Sequence, residues 1–339
     1  MNLDALNKVA RAMVAPGKGI LAADESSGTI KKRFDAIGVE STEDSRRDYR
    51  EMMFRTAEAM KNHISGVILY DETIWQKAKD GTPLVKIIEQ MGSIPGIKVD
   101  EGTKPLPNCS GELITIGLDK LADRLTKYYE QGARFAKWRA VIDIGNGIPS
   151  YSAIHANAHA LARYAALCQE AGIVPIVEPE VLQDGTHTLA RSSTVTGRVL
   201  QALYTELHDQ RVDLRGTLLK PNMVLSGYEA SDRAGADEVA DATLDCFYRH
   251  VPAAVPGIVF LSGGQTDEDS TAHLNAMTAK GPHPWPLSFS YGRALQAAAQ
   301  KGWSGTNVEA GQRAFYHRAK MNSAATTGLY APAMEQSVA

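Results

Sequence analysis

The segment GTLLKPNMV, residues 216–224, places a lysine inside an otherwise apolar run. Such a run is typical of a buried strand, and the following Pro221 interrupts strand pairing. An ammonium ion is costly to bury unless it is paired or neutralised. Burial and neighbouring cations both favour the neutral amine of a lysine, and a neutral amine can attack a ketone to form an imine. Lys220 is therefore a candidate nucleophile, and its imine would be an electron sink for breaking or making the adjacent carbon–carbon bond.

Charged residues also end, or lie within, four other apolar runs. They comprise Asp24 in GILAAD, Lys98 in GIKVDE, Lys137 and Arg139 in RFAKWRAV, and Glu178 and Glu180 in IVPIVEPE. Residues two apart point to the same face of a strand, so each spaced pair should project in one direction. The residues alone leave Lys98, Lys137 and Lys220 open as the nucleophile. They also leave open that Lys137 and Arg139 serve only as salt-bridge partners of Glu178 and Glu180.

The last two runs, GIVFLSGG and LSFSYGR, end in small and basic residues that suit an anion. These residues are Ser262, Gly263, Gly264, Ser290, Gly292 and Arg293. Glycines let main-chain N–H groups approach an anion, a following helix N-terminus adds a favourable dipole, and arginine offers bidentate hydrogen bonds to phosphate. A second basic group comprises Lys98, Arg139 and Arg33, with Ser26 and Thr29 nearby in DESSGTIKKRF. Two separated anion sites predict a substrate with phosphate at both ends.

The elements that must position these side chains are eight short apolar runs, separated by segments of helical period. The runs are residues 19–24, 66–72, 96–101, 134–141, 173–180, 216–224, 257–264 and 287–293. Repeated strand–helix alternation implies parallel strands with crossover helices. An eight-stranded parallel barrel needs about 250 residues, and the chain has 339. We therefore expect an α/β fold, a (β/α)8 TIM barrel, in which the strand ends gather the charged residues at one rim.

We expect one barrel domain over residues 1–339, with a barrel core from about 18 to 300. An extra amphipathic helix should precede the barrel, because Leu3, Leu6, Val9, Ala10 and Met13 recur on one side of a helix. The segment after Met321, NSAATTGLYAPAMEQSVA, is small and polar. Such composition predicts a mobile C-terminal tail over about residues 321–339.

Composition excludes several classes of function. Thirty-six basic and thirty-nine acidic residues give a net charge of −3, which argues against nucleic acid as a partner. No apolar run approaches the roughly 20 residues that span a bilayer, so no membrane association is expected. The N-terminus lacks the pattern of a signal peptide, which favours a cytoplasmic protein. Three scattered cysteines predict neither a disulfide framework nor a CxxC metal site.

His155 and His159 have the HxxxH spacing of a helical metal pair. The sequence offers neither the glutamate of HExxH nor a third ligand nearby, so a solvent-facing helix is the favoured interpretation. We expect no metal and no other cofactor.

The chain resembles class I fructose-bisphosphate aldolases, the metal-independent Schiff-base type, over nearly its whole length. The matching motifs, in order, are GKGILAADESSGTIKKRF, FAKWR, GIVPIVEPE, GTLLKPNM, FLSGGQ and FSYGRALQ. The resemblance implies reversible cleavage of fructose 1,6-bisphosphate to dihydroxyacetone phosphate and glyceraldehyde 3-phosphate, in glycolysis, gluconeogenesis or the Calvin cycle. It also implies a homotetramer.

The resemblance assigns roles to individual residues. Lys220 in LLKPN would form the imine, and Glu178 in VEPE would be its acid and base, supported by Glu180. Asp24 would handle the proton of the C4 hydroxyl, and Lys137 would assist electrostatically. The phosphate of dihydroxyacetone phosphate would contact Ser262, Gly263, Ser290, Gly292 and Arg293. The far phosphate would lie near Ser26, Thr29, Arg33, Lys98 and Arg139.

The chain departs from the animal members of this family at its C-terminus. Animal members end in a tyrosine that assists proton exchange, whereas this chain ends in EQSVA, and Tyr330 lies too far upstream to replace it. Two alternatives to the fructose activity remain. One is cleavage of sedoheptulose 1,7-bisphosphate as a main or second activity, and the other is a catalytically silent phosphate-binding scaffold.

Overall fold

The computed structural model describes residues 2–336. Its strands are β1 Gly19–Ala23, β2 Ile64–Leu69, β3 Ile94–Lys98, β4 Thr103–Pro105, β5 Leu113–Thr115, β6 Phe135–Ile142, β7 Val174–Val181, β8 Leu218–Leu219, β9 Ile258–Phe260 and β10 Leu287–Tyr291. Eight of them pair in parallel and close into a barrel in the order β1-β10-β9-β8-β7-β6-β3-β2. Each of the eight predicted runs overlaps one of these strands, so the predicted TIM barrel is confirmed.

Helices follow or precede the barrel strands along the chain. They are α1 Leu3–Met13, α2 Ser27–Asp35, α3 Glu43–Phe54, α4 Ala57–His63, α5 Asp71–Trp75, α6 Leu84–Gln90, α7 Leu121–Gln131, α8 Tyr151–Glu170, α9 Leu189–Asp209, α10 Ala236–His250, α11 Asp267–Ala279, α12 Arg293–Trp303 and α13 Val308–Ala325. Two short 3-10 helices cover Leu214–Gly216 and Pro332–Gln336. None of the helices formed by residues 2–336 could span a lipid bilayer.

The extra N-terminal helix is confirmed, and it covers the N-terminal end of the barrel. Leu6, Ala10 and Met13 on α1 are buried, and they belong to one apolar cluster with Phe135 and Ile176 from the barrel strands. A helix with one apolar stripe is stable only when that stripe is covered. This packing closes one end of the barrel, which leaves the other end for the cavity described below.

The interior of the barrel is filled tightly enough to require glycine on one strand. A Cβ atom added to Gly96 on β3 would lie 2.4 Å from the ring of Phe135 on the neighbouring β6. Any larger residue at position 96 would therefore displace the phenylalanine. The register between these strands places Lys98 opposite Lys137. This packing therefore also fixes the position of two cavity lysines along the barrel axis.

Helical structure extends past the expected start of the C-terminal tail at about residue 321. Helix α13 continues through Ala325, and Met321 within it is buried. Beyond the helix, the Tyr330 hydroxyl donates to Glu335 Oε1 at 3.0 Å. Small residues are as suited to close packing as to a flexible coil, so composition alone did not distinguish the two. The last part of the expected tail, residues 337–339, lies outside the described residues.

The hairpin of β4 and β5 was not predicted from the sequence. Its strands are antiparallel and only three residues long, with Thr103 opposite Thr115. The hairpin lies between the third and fourth barrel strands, and Thr103 and Leu113 line the cavity at the C-terminal end of the barrel.

Candidate active site

A cavity of ≈ 1130 Å³ opens at the C-terminal ends of the barrel strands. Most of the residues predicted from the sequence line it, namely Asp24, Ser26, Thr29, Arg33, Lys98, Lys137, Arg139, Glu178, Glu180, Lys220, Ser262, Gly263, Ser290, Gly292 and Arg293. The carboxyl ends of parallel barrel strands meet at one rim, which explains why residues far apart in sequence converge. Gly264 is the exception, because it does not line the cavity.

Lys220 lies in the floor of the cavity, directly after the two-residue strand β8. Its main-chain N–H donates to the carbonyl oxygen of Val177 at 2.8 Å, which continues the pairing with β7. The side chain is buried, and its Nζ lies 3.1 Å from Glu178 Oε1. The ammonium that seemed costly to bury is therefore paired with a carboxylate from the neighbouring strand.

Lys137 bridges two carboxylates in the same floor. Its Nζ lies 2.7 Å from Asp24 Oδ2 and 3.3 Å from Glu178 Oε2. Burial acts to lower the pKa of Lys137, but the charges of Asp24 and Glu178 outweigh it and raise the pKa well above its ordinary value. Lys137 is therefore held as a cation at all ordinary pH values.

Asp24 is also ionised, because neighbouring groups of opposite charge surround it. Burial acts to raise its pKa, but the charges of Lys137 and Lys220 outweigh burial and lower the pKa to about 2. A carboxylate that is ionised and held beside two amines can accept a proton from a ligand group in the cavity.

Arg139 and Glu180 form a second pair beside the first. Arg139 Nε donates to Glu180 Oε2 across β6 and β7. Burial acts to lower the pKa of Arg139, but Glu180 outweighs it and the pKa is raised. The salt bridges left open by the sequence are thus present, and they lie inside the cavity.

The loops after β9 and β10 form a glycine-rich side of the cavity. Gly263 has φ +57°, a left-handed conformation that favours glycine, and its carbonyl oxygen accepts a hydrogen bond from Arg293 Nη2 at 2.5 Å. The Ser290 hydroxyl is buried and has no hydrogen-bond partner among the described residues. Such an orphaned donor beside an arginine suits an anionic ligand.

Two features of these loops bear on the expected anion site. Arg293 is the first residue of α12, and Gly292 is the N-cap, so the arginine lies at a helix N-terminus. Gly264 packs against Tyr228 instead of facing the cavity, since a Cβ atom there would lie 2.6 Å from the Tyr228 ring. A glycine pair in the sequence does not show which of its members faces a ligand.

Other cations that line the cavity are paired with carboxylates. Lys98 Nζ lies 2.8 Å from Asp100 Oδ1, and Arg33 Nη1 lies 2.6 Å from Glu25 Oε1. Asp100 and Glu25 were missed by the sequence reasoning. Asp100 follows Lys98 by two residues, which is the spacing that singled out the pair Lys137 and Arg139, so the same signal could have found it.

Ser26 and Thr29 belong to the start of helix α2, which follows strand β1. The Ser26 side chain accepts a hydrogen bond from the Thr29 main-chain N–H at 3.4 Å, as an N-cap does. The two hydroxyl oxygens lie 3.1 Å apart. Both residues line the cavity, so a helix N-terminus with two hydroxyls faces it.

His155 and His159 lie away from this cavity, on α8. Their Nδ1 atoms contact the two carboxylate oxygens of Glu206 on α9, at 3.1 and 2.9 Å. About half of each imidazole is exposed, at 52% and 44%, which agrees with the expected solvent-facing helix. Within residues 2–336 no group of three or more His, Cys, Asp and Glu residues is arranged to hold a metal ion.

Comparison with known proteins agrees with this fold. The family model described as fructose-bisphosphate aldolase class-I matches residues 5–339. A probable fructose-bisphosphate aldolase class 1 of Xanthomonas campestris is 56% identical over 333 residues, which is 97% of this chain and 99% of the relative. The cytosolic fructose-bisphosphate aldolase 4 of Arabidopsis thaliana is 55% identical over 93% of this chain and 81% of its own length.

A solved structure is similar over the same extent. Fructose-bisphosphate aldolase from Plasmodium falciparum, crystallised with TRAP and a small-molecule inhibitor, superposes with a TM-score of 0.95 at 46% identity. The superposition covers 97% of this chain and 96% of that chain. The chain therefore belongs to the class I fructose-bisphosphate aldolase family and is an aldehyde-lyase.

Proposed function

We propose that the protein cleaves fructose 1,6-bisphosphate reversibly to dihydroxyacetone phosphate and glyceraldehyde 3-phosphate through an imine on Lys220. The observation that carries the proposal is the contact of Lys220 Nζ with Glu178 Oε1 at 3.1 Å in the cavity floor. A nucleophilic amine and a group that moves its protons must lie within hydrogen-bond reach of each other. The reaction belongs to glycolysis and to its reversal.

The contacts of the three cavity lysines favour Lys220 as the nucleophile. Lys137 contacts two carboxylates, Asp24 and Glu178, and its pKa is raised, so it does not readily become a neutral amine. Lys98 is held by both the carboxylate and the carbonyl oxygen of Asp100. Among residues 2–336, Lys220 forms an ion pair only with Glu178, which it shares with Lys137, so a proton can pass from its ammonium to Glu178.

Imine formation requires proton transfers that Glu178 is placed to make. The neutral amine of Lys220 attacks the C2 carbonyl of the sugar, and the carbonyl oxygen takes up the proton that the attacking nitrogen loses, which gives a carbinolamine. Glu178 then protonates the hydroxyl of this carbinolamine, which leaves as water and gives the iminium. Glu180, beside it on β7, is paired with Arg139 and supports this step by keeping that cation away from Glu178.

Bond cleavage follows from the position of Asp24. Its carboxylate accepts the proton of the C4 hydroxyl, the C3–C4 bond breaks, and the electron pair of that bond moves into the iminium to give an enamine. Glyceraldehyde 3-phosphate is released, C3 of the enamine is protonated, and water hydrolyses the imine. Lys137 stabilises the negative charge that develops at the C4 oxygen, because it remains a cation 2.7 Å from Asp24.

The two sides of the cavity would hold the two phosphates. We assign the phosphate of dihydroxyacetone phosphate to Ser262, Gly263, Ser290, Gly292 and Arg293, and the unpaired hydroxyl of Ser290 supports this choice. We assign the far phosphate to Ser26, Thr29, Arg33, Lys98 and Arg139. Gly264 is left out because it packs against Tyr228.

Borohydride trapping tests the imine. Borohydride added with dihydroxyacetone phosphate should reduce the imine to a stable secondary amine and abolish activity. Peptide mapping should find the adduct on Lys220, and both Lys220→Ala and Lys220→Arg should form none, since a guanidinium stays protonated. An adduct on Lys137 or Lys98 would reassign the nucleophile, whereas turnover with no adduct at all would remove the imine mechanism.

The proposal extends to the assembly and location of the protein. We propose a homotetramer in the cytoplasm, as the family resemblance implies. Light scattering at micromolar concentration should give four times the mass of one chain, and the mass of a single chain would contradict the proposal. Fractionation of cells that express the protein should recover it in the cytosol.

A further inference from the structure

The cations that we assign to the far phosphate differ from Arg293 because each already contacts a carboxylate. The pairs are Lys98 with Asp100, Arg33 with Glu25, and Arg139 with Glu180. Arg293 instead donates to the uncharged carbonyl oxygen of Gly263. A phosphate at the far side must therefore compete with carboxylates for its cations, whereas a phosphate at Arg293 need not.

Asp100 is the carboxylate whose position is fixed by main-chain groups. The N–H of Gly102 donates to its Oδ1 and the N–H of Arg139 donates to its Oδ2, both at 3.3 Å. Its side chain is only 4% exposed. Because these bonds join the carboxylate to the loop after β3 and to strand β6, Asp100 cannot follow Lys98 if the lysine turns toward a ligand.

Lys98 is held twice by this one residue. Its Nζ lies 2.8 Å from Asp100 Oδ1 and donates to the Asp100 carbonyl oxygen at 2.7 Å. A ligand phosphate that takes Lys98 must therefore separate the ammonium from a buried carboxylate, and separating such a pair is unfavourable. The same carboxylate repels the phosphate directly.

We propose that Asp100 is a positioning residue that limits the affinity of the cavity for the far phosphate by restraining Lys98. The inference rests on the proposed function, since it concerns the second phosphate of the same sugar bisphosphate. Asp100 thereby sets the preference between substrates with and without this phosphate, and a weaker hold on it favours release of the phosphorylated aldehyde.

The test is the isosteric substitution Asp100→Asn, which removes the charge and keeps an oxygen for a main-chain N–H. Lys137 and Arg139 retain their nearer partners, Asp24 and Glu180, so the rest of the floor keeps its ion pairs. We expect kcat/KM for fructose 1,6-bisphosphate, divided by that for fructose 1-phosphate, to rise about threefold to tenfold. Asp119→Asn makes the same charge change at an exposed position and should leave the ratio unchanged.

A binding measurement separates this inference from the proposed chemistry. Glucitol 1,6-bisphosphate has two phosphates and no ketone, so it binds without forming an imine. Calorimetry should give a Kd that is about threefold to tenfold lower for Asp100→Asn than for the unsubstituted protein. If the Kd falls as expected but the unsubstituted protein does not turn over fructose 1,6-bisphosphate, the proposed function is wrong and the role of Asp100 in phosphate binding stands.

An unchanged or lowered ratio, or an unchanged or raised Kd for the bisphosphate, would overturn the role of Asp100. A merely structural role predicts that both substrates lose kcat/KM alike, which also leaves the ratio unchanged. If Asp100→Asn does not fold, Asp100→Ser takes its place, because the serine hydroxyl is neutral and can accept one of the main-chain hydrogen bonds. The same two readouts then apply.

Discussion

Lys137 Nζ lies 2.7 Å from Asp24 Oδ2, and this contact joins strands β6 and β1 across the mouth of the barrel. These strands are not neighbours, since β2 and β3 separate them on one side. The pair therefore exists only because the sheet curves into a barrel. It holds one group as a cation and the other as an anion in the middle of the cavity floor, which affects both stability and chemistry.

The pH dependence of stability should show the lowered pKa of Asp24. Its pKa is about 2 in the folded protein and 3.8 ordinarily, so the ionised group stabilises the fold above about pH 4 and this contribution is lost as pH falls toward 2. The free energy of unfolding should therefore fall between about pH 4 and pH 2, and in Asp24→Asn this fall should be smaller by on the order of 2 kcal/mol. Urea denaturation at several pH values measures the unfolding free energy of both proteins.

The control is Asp35→Asn, which changes an exposed aspartate that pairs with Lys31 on the same helix. Its stability should fall with acid in parallel with that of the unsubstituted protein. If the unfolding free energy of Asp24→Asn also falls with acid in parallel with that of the unsubstituted protein, the pKa of Asp24 does not contribute to the pH dependence of stability.

Lys137→Met should destabilise the fold and slow catalysis together. The substitution leaves Asp24 and Glu178 buried without their shared cation, and breaking a buried pair in this way costs about 3–5 kcal/mol. Loss of the charge near the C4 oxygen should lower kcat at least about a hundredfold. Urea denaturation and steady-state kinetics test the two effects separately.

Lys31→Met removes an exposed lysine, with a side chain that is 62% exposed. It should change the unfolding free energy by no more than about 0.5 kcal/mol. If Lys137→Met is equally mild, the contacts of Lys137 with the two carboxylates do not stabilise the protein.

Arg293→Ala should weaken phosphate binding while leaving the fold intact. The side chain is exposed and donates a hydrogen bond to the Gly263 carbonyl oxygen. Loss of charge-assisted contacts should cost about 1.5–3 kcal/mol in binding, which appears as a rise in KM for fructose 1-phosphate of roughly tenfold or more. Steady-state kinetics and a melting curve are the measurements.

Lys301→Ala, on the same helix α12, removes the same charge at an exposed position and should not change KM. A fall in melting temperature for Arg293→Ala, with KM unchanged in the folded fraction, would show that Arg293 is structural.

Glu335→Gln should destabilise the C-terminal segment without affecting cleavage. Glu335 pairs with Arg318 through two hydrogen bonds of 2.6 and 2.7 Å and contacts His317 Nε2 at 2.8 Å. Arg318 is buried, so the loss of its carboxylate should cost about 1.5–3 kcal/mol of unfolding free energy. The rate of cleavage should stay within about twofold, because Glu335 is not among the residues that line the cavity.

The exposed Glu309→Gln, on helix α13, provides the comparison and should change the unfolding free energy by no more than about 0.5 kcal/mol. A loss of cleavage in Glu335→Gln with stability intact would instead link the C-terminal segment to the chemistry.

Local patterns in the sequence determined the strands, the charged residues on them and the direction in which those residues point. Spacing of two placed Lys137 with Arg139 and Glu178 with Glu180, because successive residues of a strand alternate between its faces. The same rule applied to Lys98 would have found Asp100. The residues alone did not distinguish Lys220 from the other two lysines as the nucleophile.

Only the tertiary structure decided which charges meet. The contact of Lys137 with Asp24 depends on the curvature of the sheet into a barrel, and that of Lys220 with Glu178 depends on the packing of β7 beside β8. The C-terminal segment shows the same limit, because its small residues gave no sign that Glu335 would pair with Arg318. Periodicity reports which face a side chain occupies, whereas the distance between two charges is set by the register and curvature of strands far apart in the chain.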